Sequence, residues 1–514
     1  MSLRNFIAAA SVALALAGSA GAVTPQAPDT ARVAQGELRG QVKGAVASFK
    51  GIPFAAPPIG DLRWRPPQPA APWAGVRDAT AYGPMCMQMR AVPAGTNQSE
   101  DCLTLNVWTP ANRKPGAKLP VMVWIHGGSF TGGSGSNAIY DGTHFAERGV
   151  VLVTVNYRLG RLGFFYHPAL AAEHPGEPLA NYGMMDNLAA LKWVQANIAA
   201  FGGDPANVTA FGESAGGILI NDLMASPQAK GLFAKAISES GFGRIPGLPM
   251  KGDGPNTAEK QGLAYAGSFG VTGTGPDALK AMRALTPAQL SAPAGQVTPI
   301  LDGVILPEGP AVAFAAGREL KVPYIAGGNS WEASLFPKNT PLDRAGPLRD
   351  KLVAAYGAPT DLMNVQWDLG TEAAVIEPDR LLARLHTKNG QKAWVYYMSY
   401  IPAIQRASVH GMSHGGELMY VFNTLPDHDM TIGTRMVAAA TPADRKIADA
   451  MTAYWTAFAK GSDPDSAGGP AWPAYTPAND AVLEFGADGV NLRPAFHKAS
   501  LDLVEQLAST GAGR

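Results

Sequence analysis

In the stretch "VTAFGESAGG", residues 208–217, an apolar run stops abruptly and small residues crowd around a single hydroxyl. Ser214 has Gly212 on one side and Ala215, Gly216 and Gly217 on the other. A serine that caps a sharp strand-to-helix turn needs such neighbours, because larger side chains at the flanking positions would collide with a strained backbone. A turn of that kind exposes the serine oxygen. The alternative, an ordinary small-residue turn, is separated from it by context. "VTAF" reads as a strand and "ILINDLMA" (218–225) as a helix, which is the setting the sharp turn requires.

Outward from this point, short β-branched runs alternate with helical periodicity, the pattern of a largely parallel sheet covered by helices. "VMVWI" (121–125) and "VVLVTV" (150–155) are apolar on both faces, as central strands are. Between 186 and 201, Leu188, Leu191, Val194 and Ile198 fall on one helical face, with Gly202 placed to end the helix. "VPYIAGG" (322–328) and "AWVYYMSY" (393–400) are strand-like. Residues 441–461 form a helix with Thr441 as cap, Pro442 in the first turn, a stripe of Ile447, Met451, Trp455 and Phe458, and Gly461 beyond its end. The stretch 462–480, rich in Pro, Gly and Asp, reads as an irregular surface excursion.

The chain of 514 residues has 41 basic and 41 acidic side chains, so no global field attracts nucleic acid or an anionic membrane. Its first residues carry Arg4, an apolar run from Phe6 to Ala17, then Ala20, Gly21 and Ala22 at the spacing of a signal-peptidase site. Residues 1–22 are therefore expected to be a signal peptide, and 23–514 a single catalytic domain, exported to the periplasm or the medium. No later segment has the run of about eighteen apolar residues that a membrane span needs, so no membrane anchor is expected after cleavage. Cys86 and Cys102 are the two cysteines. In an exported chain such a pair reads as a disulfide closing a short loop, the alternative being two unrelated buried thiols. They supply half of a zinc shell with no histidine between them, and no metal is expected.

A serine hydroxyl barely ionises at neutral pH and attacks only beside a base that takes its proton. The developing oxyanion needs donors as well. After the strand "VMVWI" comes "HGGSF" (126–130), where Gly127 and Gly128 let bare backbone N–H groups approach a substrate oxygen. The Ala215 N–H, at the start of the helix after Ser214, is the third candidate donor.

With those residues in view, the chain resembles the type-B carboxylesterase and cholinesterase family of α/β-hydrolases, from "FKGIPFAAPPIGDLRWRPPQP" (49–69) almost to the C-terminus. The likeness is carried by "EDCLTLNVWTP" (100–110), "HGGSF", "VNYRLGRLGFF" (155–165), "ANIAAFGGDPANVTAFGESAGG" (196–217) and "SHGGELMYVF" (413–422). It implies an α/β fold with a large mostly parallel sheet, long loop and helical insertions forming an active-site gorge, and a Ser, Glu, His triad in that chain order. Carried over residue by residue, Ser214 is the nucleophile and His414, followed by "GGE", is the base, in preference to His386, His410, His428 and His497. Glu332 in "IAGGNSWEASLF" is the acid, with Trp331 where the family has a second acidic residue; Asp302 in "LDGVILPEG" is the fallback, and Glu213 is a support to the site. Cys86 and Cys102 match the family's first disulfide, at the gorge mouth. Between them stands no Trp, Tyr or Phe to make the aromatic platform of a choline esterase.

The expected function is hydrolysis of uncharged small-molecule carboxylic esters through an acyl-enzyme, with no metal or organic cofactor. The triad fixes acyl transfer and leaves lipids, thioesters, amides or carbamates as alternative substrates. A non-catalytic binding protein of the same fold is the rival from another class, opposed by the joint presence of Ser214, Glu332, His414 and both glycines. Oligomeric state has no signature in the sequence.

Overall fold

The computed structural model describes residues 29–292, 297–336, 341–359, 361–432, 435–465 and 469–509. The expected signal peptide, 1–22, lies outside the described residues. An 11-stranded sheet runs through the molecule. Its strands are β1 (Gln41–Lys43), β2 (Val46–Pro53), β3 (Thr104–Pro110), β4 (Leu119–Ile125), β5 (Val151–Val155), β6 (Gly203–Glu213), β7 (Lys235–Glu239), β8 (Tyr324–Asn329), β9 (Ala393–Met398), β10 (Val482–Gly486) and β11 (Gly489–Arg493). The spatial order is β11-β10-β9-β8-β7-β6-β4-β5-β3-β2-β1. From β5 through β4, β6, β7, β8 and β9 to β10 every pairing is parallel, and antiparallel strands finish both edges. The expected mostly parallel sheet under helices is what the chain builds.

Why the central strands read as apolar on both faces is visible in the packing. Val121, Val123 and Ile125 of β4 enter one core with Leu188, Leu191 and Val194 of helix α1 (Tyr182–Asn197) and Leu219 and Leu223 of α2 (Ala215–Ala225). Met122 and Trp124, one residue out of step, enter the other core with Ile447, Met451, Trp455 and Phe458 of α3 (Pro442–Gly461). Alternation along one strand thus feeds two layers, and the helices hold the sheet between them.

Three local expectations are refined. Besides its expected stripe, α1 also buries Met184, Trp193 and Asn197, because it packs against both β6 and the segment 160–165. Gly202, at φ 80°, ends the 3₁₀ turn Ile198–Phe201 that extends α1. Helix α3 begins at the Thr441 capping box as expected, but Gly461 is its last helical residue and Ser462 takes the left-handed position at φ 62°. The described residues of the stretch, 462–465 and 469–480, are irregular, yet Trp472 and Tyr475 among them are almost wholly buried. Trp472 lends its carbonyl to the Trp394 indole N–H at 2.9 Å, so this excursion closes one flank of the core.

Candidate active site

Strand β6 delivers Ser214 at its C-terminal end, and helix α2 starts on the next residue. Ser214 sits at φ 57° and ψ −122°, a strained conformation held by the chain on either side. Its N–H donates to the Glu239 carbonyl at 2.9 Å, and its carbonyl accepts from the Ile218 N–H at 2.8 Å. The small residues around it are required by close approach. A Cβ on Gly216 would stand 2.0 Å from the Ile125 carbonyl oxygen, one on Gly212 2.6 Å from the same atom, and one on Gly217 2.5 Å from the Glu239 carbonyl oxygen. The crowd of glycines thus lets α2 start directly against the ends of β4 and β7.

The "HGGSF" turn follows β4 on the same edge of the sheet. A Cβ on Gly127 would lie 2.9 Å from the Ser214 Cβ, so this turn packs directly on the elbow. Among the described residues, neither the Gly127 nor the Gly128 N–H donates to any protein group. Ala215 opens α2, where an N–H has no intrahelical acceptor, and no side chain caps that end. Three candidate donors therefore stand beside one hydroxyl.

His414 lies on the loop after β9. Its Nδ1 is 2.5 Å from Glu332 Oε2. The second Glu332 oxygen accepts from the Ser240 hydroxyl at 2.6 Å and the Asn329 N–H at 2.7 Å, which locks the carboxylate. The loop itself is fixed by the His414 N–H donating to Ser334 Oγ at 3.0 Å and by Asn329 Nδ2 donating to the Ser413 carbonyl at 3.0 Å. His414 Nε2 is buried and has no aligned hydrogen-bond partner. Glu213 Oε1 is 3.1 Å from it but off the bonding direction. The Phe242 ring stands 5.9 Å from the imidazole centroid.

Carboxylates surround this histidine. Burial disfavours the imidazolium, but Glu213, Glu332 and Glu417 outweigh it and raise His414 above its ordinary 6.5. Burial also raises Glu213, an effect that the nearby His414 opposes and Glu332 reinforces. Glu417 is raised by burial and by the same two acids, and its carboxylate accepts from Asn329 Nδ2.

The structure thus brings Ser214, Gly127, Gly128, Ala215, Glu332, His414 and Glu213 to one edge of the sheet. It takes Asp302 elsewhere. One Asp302 oxygen accepts from the backbone N–H groups of Val304, Ile305 and Leu306 and the other from Asn181, so this residue organises a turn. His410 pairs with Asp368 at 2.7 Å, His386 with Glu319 and His497 with Glu372. Cys86 and Cys102 are joined by a disulfide. Ser240, Asn329 and Ser334 were given no part from the sequence: Asn329 and Ser334 flank Glu332 within "IAGGNSWEASLF", and Ser240 comes from a separate segment with no motif of its own. Glu417, three residues after the histidine in "SHGGELMYVF", had been given no part, and its burial is seen only in the structure. Among the described residues no group of His, Cys, Asp and Glu is placed to hold a metal ion.

A family model described as the carboxylesterase family matches residues 27–353 and 351–504. The chain is 35% identical over 479 residues to a fumonisin B1 esterase of Sphingopyxis macrogoltabida, covering 88% of this chain and 87% of that one. It is equally 35% identical over 474 residues to a para-nitrobenzyl esterase of Bacillus subtilis, covering 86% and 91%. Among solved structures, a Geobacillus stearothermophilus carboxylesterase superposes with a TM-score of 0.79 at 32% identity, over 92% of this chain and 99% of the other.

Proposed function

The chain belongs to the carboxylesterase family, has its α/β-hydrolase fold and is a carboxylic ester hydrolase; from that premise we propose that Ser214, His414 and Glu332 are its catalytic triad. The observation that carries the reading is the histidine's two-sided environment. One nitrogen is bonded to Glu332 at 2.5 Å, and the other is left without an aligned partner on the side where Glu213, the neighbour of Ser214, stands 3.1 Å away. Ser214 Oγ attacks the ester carbonyl carbon while its proton passes to His414 Nε2. Glu332 holds the Nδ1–H tautomer and stabilises the imidazolium. The oxyanion is met by the free N–H groups of Gly127 and Gly128 and by that of Ala215. Collapse expels the alcohol, which takes the proton from Nε2. Water, activated by the same nitrogen, then releases the acid and restores Ser214.

Apo enzymes commonly hold the nucleophile and base apart until substrate closes the gap, so the unmade Ser214–His414 bond is compatible with this role. The substrates we propose are uncharged small-molecule esters. The missing aromatics between Cys86 and Cys102 argue against choline esters. Two relatives are named for para-nitrobenzyl esters and fumonisin B1, and those are the first esters to offer this chain. We also propose export, on the leader-like residues 1–22 and on a disulfide, a bond that persists in oxidising compartments.

Fluorophosphonate labelling followed by peptide mass mapping tests the assignment. The label is expected on Ser214 alone. Labelling at another serine, or equally at several, would remove Ser214 from the nucleophile's place.

A further inference from the structure

The loop closed by the Cys86–Cys102 disulfide lies against the turn that carries Gly127 and Gly128, and three consecutive residues connect them. Gln88 grips Gly133 from both sides. Its Oε1 accepts from the Gly133 N–H at 2.7 Å, and its Nε2 donates to the Gly133 carbonyl at 2.9 Å and to the Cys86 carbonyl at 2.7 Å. The Met89 N–H donates to the Thr131 carbonyl at 2.7 Å. Arg90 donates to the hydroxyls of Ser129 at 2.8 Å and Thr131 at 3.2 Å. Gln88 is buried, and its own N–H is taken by Gln98 at 3.1 Å, so the amide has no freedom to turn away.

What Gln88 holds bears on the free N–H of Gly128. The turn doubles back so tightly that a Cβ on Gly133 would stand 2.5 Å from the Gly127 carbonyl oxygen, and one on Gly128 2.1 Å from the Gly132 carbonyl oxygen. The Gly127 carbonyl and the Gly128 N–H belong to one peptide plane. Whatever fixes the first therefore aims the second. That carbonyl is 2.8 Å from His126 Nδ1 on one side and rests on Gly133 on the other. The Gly128 carbonyl in turn accepts from the N–H groups of Thr131 and Gly132, both at 3.1 Å. Between these points Ser129 and Phe130 are held at φ 54° and 60°, conformations that a free loop would leave. Strain stored there tends to swing the peptide planes, and the grip on Gly133 opposes it.

We propose that Gln88 is a positioning residue for ester hydrolysis, its side-chain amide holding Gly133 so that the Gly128 N–H stays aimed at the oxyanion. This rests on the reading of that N–H as an oxyanion donor. Gln88 touches no substrate in this role. It acts through Gly133, and the disulfide beside it holds the loop from which it reaches. An oxyanion forms only in the transition state, so the defect of a loosened turn appears in kcat and leaves KM nearly alone.

The test uses the full chain and a p-nitrophenyl ester. Gln88→Ala is expected to lower kcat about 10- to 100-fold, the scale of a misplaced oxyanion donor, with KM within about threefold of the parent. Affinity for a trifluoromethyl ketone, which mimics the tetrahedral oxyanion, should fall in parallel, and the acid limb of the pH profile should stay in place because the histidine is untouched. Gln88→Met keeps most of the side-chain volume but loses the acceptor for the Gly133 N–H and both donated bonds; it should show the same split and is the variant to read if Gln88→Ala does not fold. Unchanged kcat in a folded variant, or a rise in KM at constant kcat, overturns the proposal. Ser214→Ala is assayed alongside. If it is inactive while the Gln88 variants have full kcat, the positioning role alone is lost; if it is active, the underlying triad reading fails.

Discussion

Glu213→Gln probes the electrostatics of the site directly. Glu213 Oε1 lies 3.1 Å from His414 Nε2, the atom that accepts the serine proton in the proposed triad. Two full charges at 3.1 Å interact by about 5 kcal/mol at an effective dielectric near 20, which is about four pH units of histidine basicity. That is an upper limit. Glu213 is itself raised by burial, so near neutrality it carries only part of a charge, and Glu332 remains on Nδ1 with Glu417 close by. The sign is unambiguous: the carboxylate favours the imidazolium, so its removal lowers the pKa of His414, and the histidine becomes neutral, and able to act, at lower pH. The acid limb of kcat/KM should move down by about one to two pH units. The same imidazolium forms in the transition state, so the plateau rate should fall by about 10- to 100-fold and the two profiles should converge at the acid end. A pH-stat assay with a non-ionising ester from about pH 4 to 9, with folding checked by circular dichroism, reads both quantities. A limb that stays within about 0.3 pH units of the parent, or moves upward, would refute the assignment of Glu213 as a charge acting on Nε2.

Ser214→Ala should lose several orders of magnitude in kcat on p-nitrophenyl esters, and retention of most activity would end the nucleophile assignment. Glu332→Gln should keep the fold and lower kcat by up to about four orders of magnitude, whereas Asp302→Asn should leave kcat near the parent value and cost thermal stability, since Asp302 binds three N–H groups of its own turn. Gly216→Ala would put a methyl 2.0 Å from the Ile125 carbonyl oxygen, so a soluble variant with parental melting temperature and activity would contradict the elbow's packing. Replacing Cys86 and Cys102 together by serine should destabilise the protein by up to about 3 kcal/mol in chemical denaturation, and non-reducing peptide mapping that found both thiols free in the parent would reject the bridge.

What could be read in the sequence were the features whose physical cause is local. The glycines around Ser214 announce a turn because backbone geometry demands them within a few residues, and the structure adds only the partner atoms they make room for, the carbonyls of Ile125 and Glu239. The central strands announce themselves because each must be apolar on both faces to sit between two layers of helices. Features caused by chain ends meeting in space had no such mark. Ser240 follows β7, Asn329 ends β8, and their bonds to one Glu332 oxygen exist because parallel strands deliver their C-terminal ends to a single edge. The burial of Trp472 and Tyr475 inside a stretch of Pro and Gly was concealed for a related reason: composition reports how a segment bends, and the flank it covers is set by the sheet it meets. The titration of His414 shows the consequence most fully. Its basicity could not be signed from sequence, where burial and Glu332 pull in opposite directions. Glu213 tips it: folding brings the carboxylate next to Ser214 within 3.1 Å of Nε2, where it adds to Glu332 on Nδ1, and Glu417, three residues beyond the histidine, adds the smallest share.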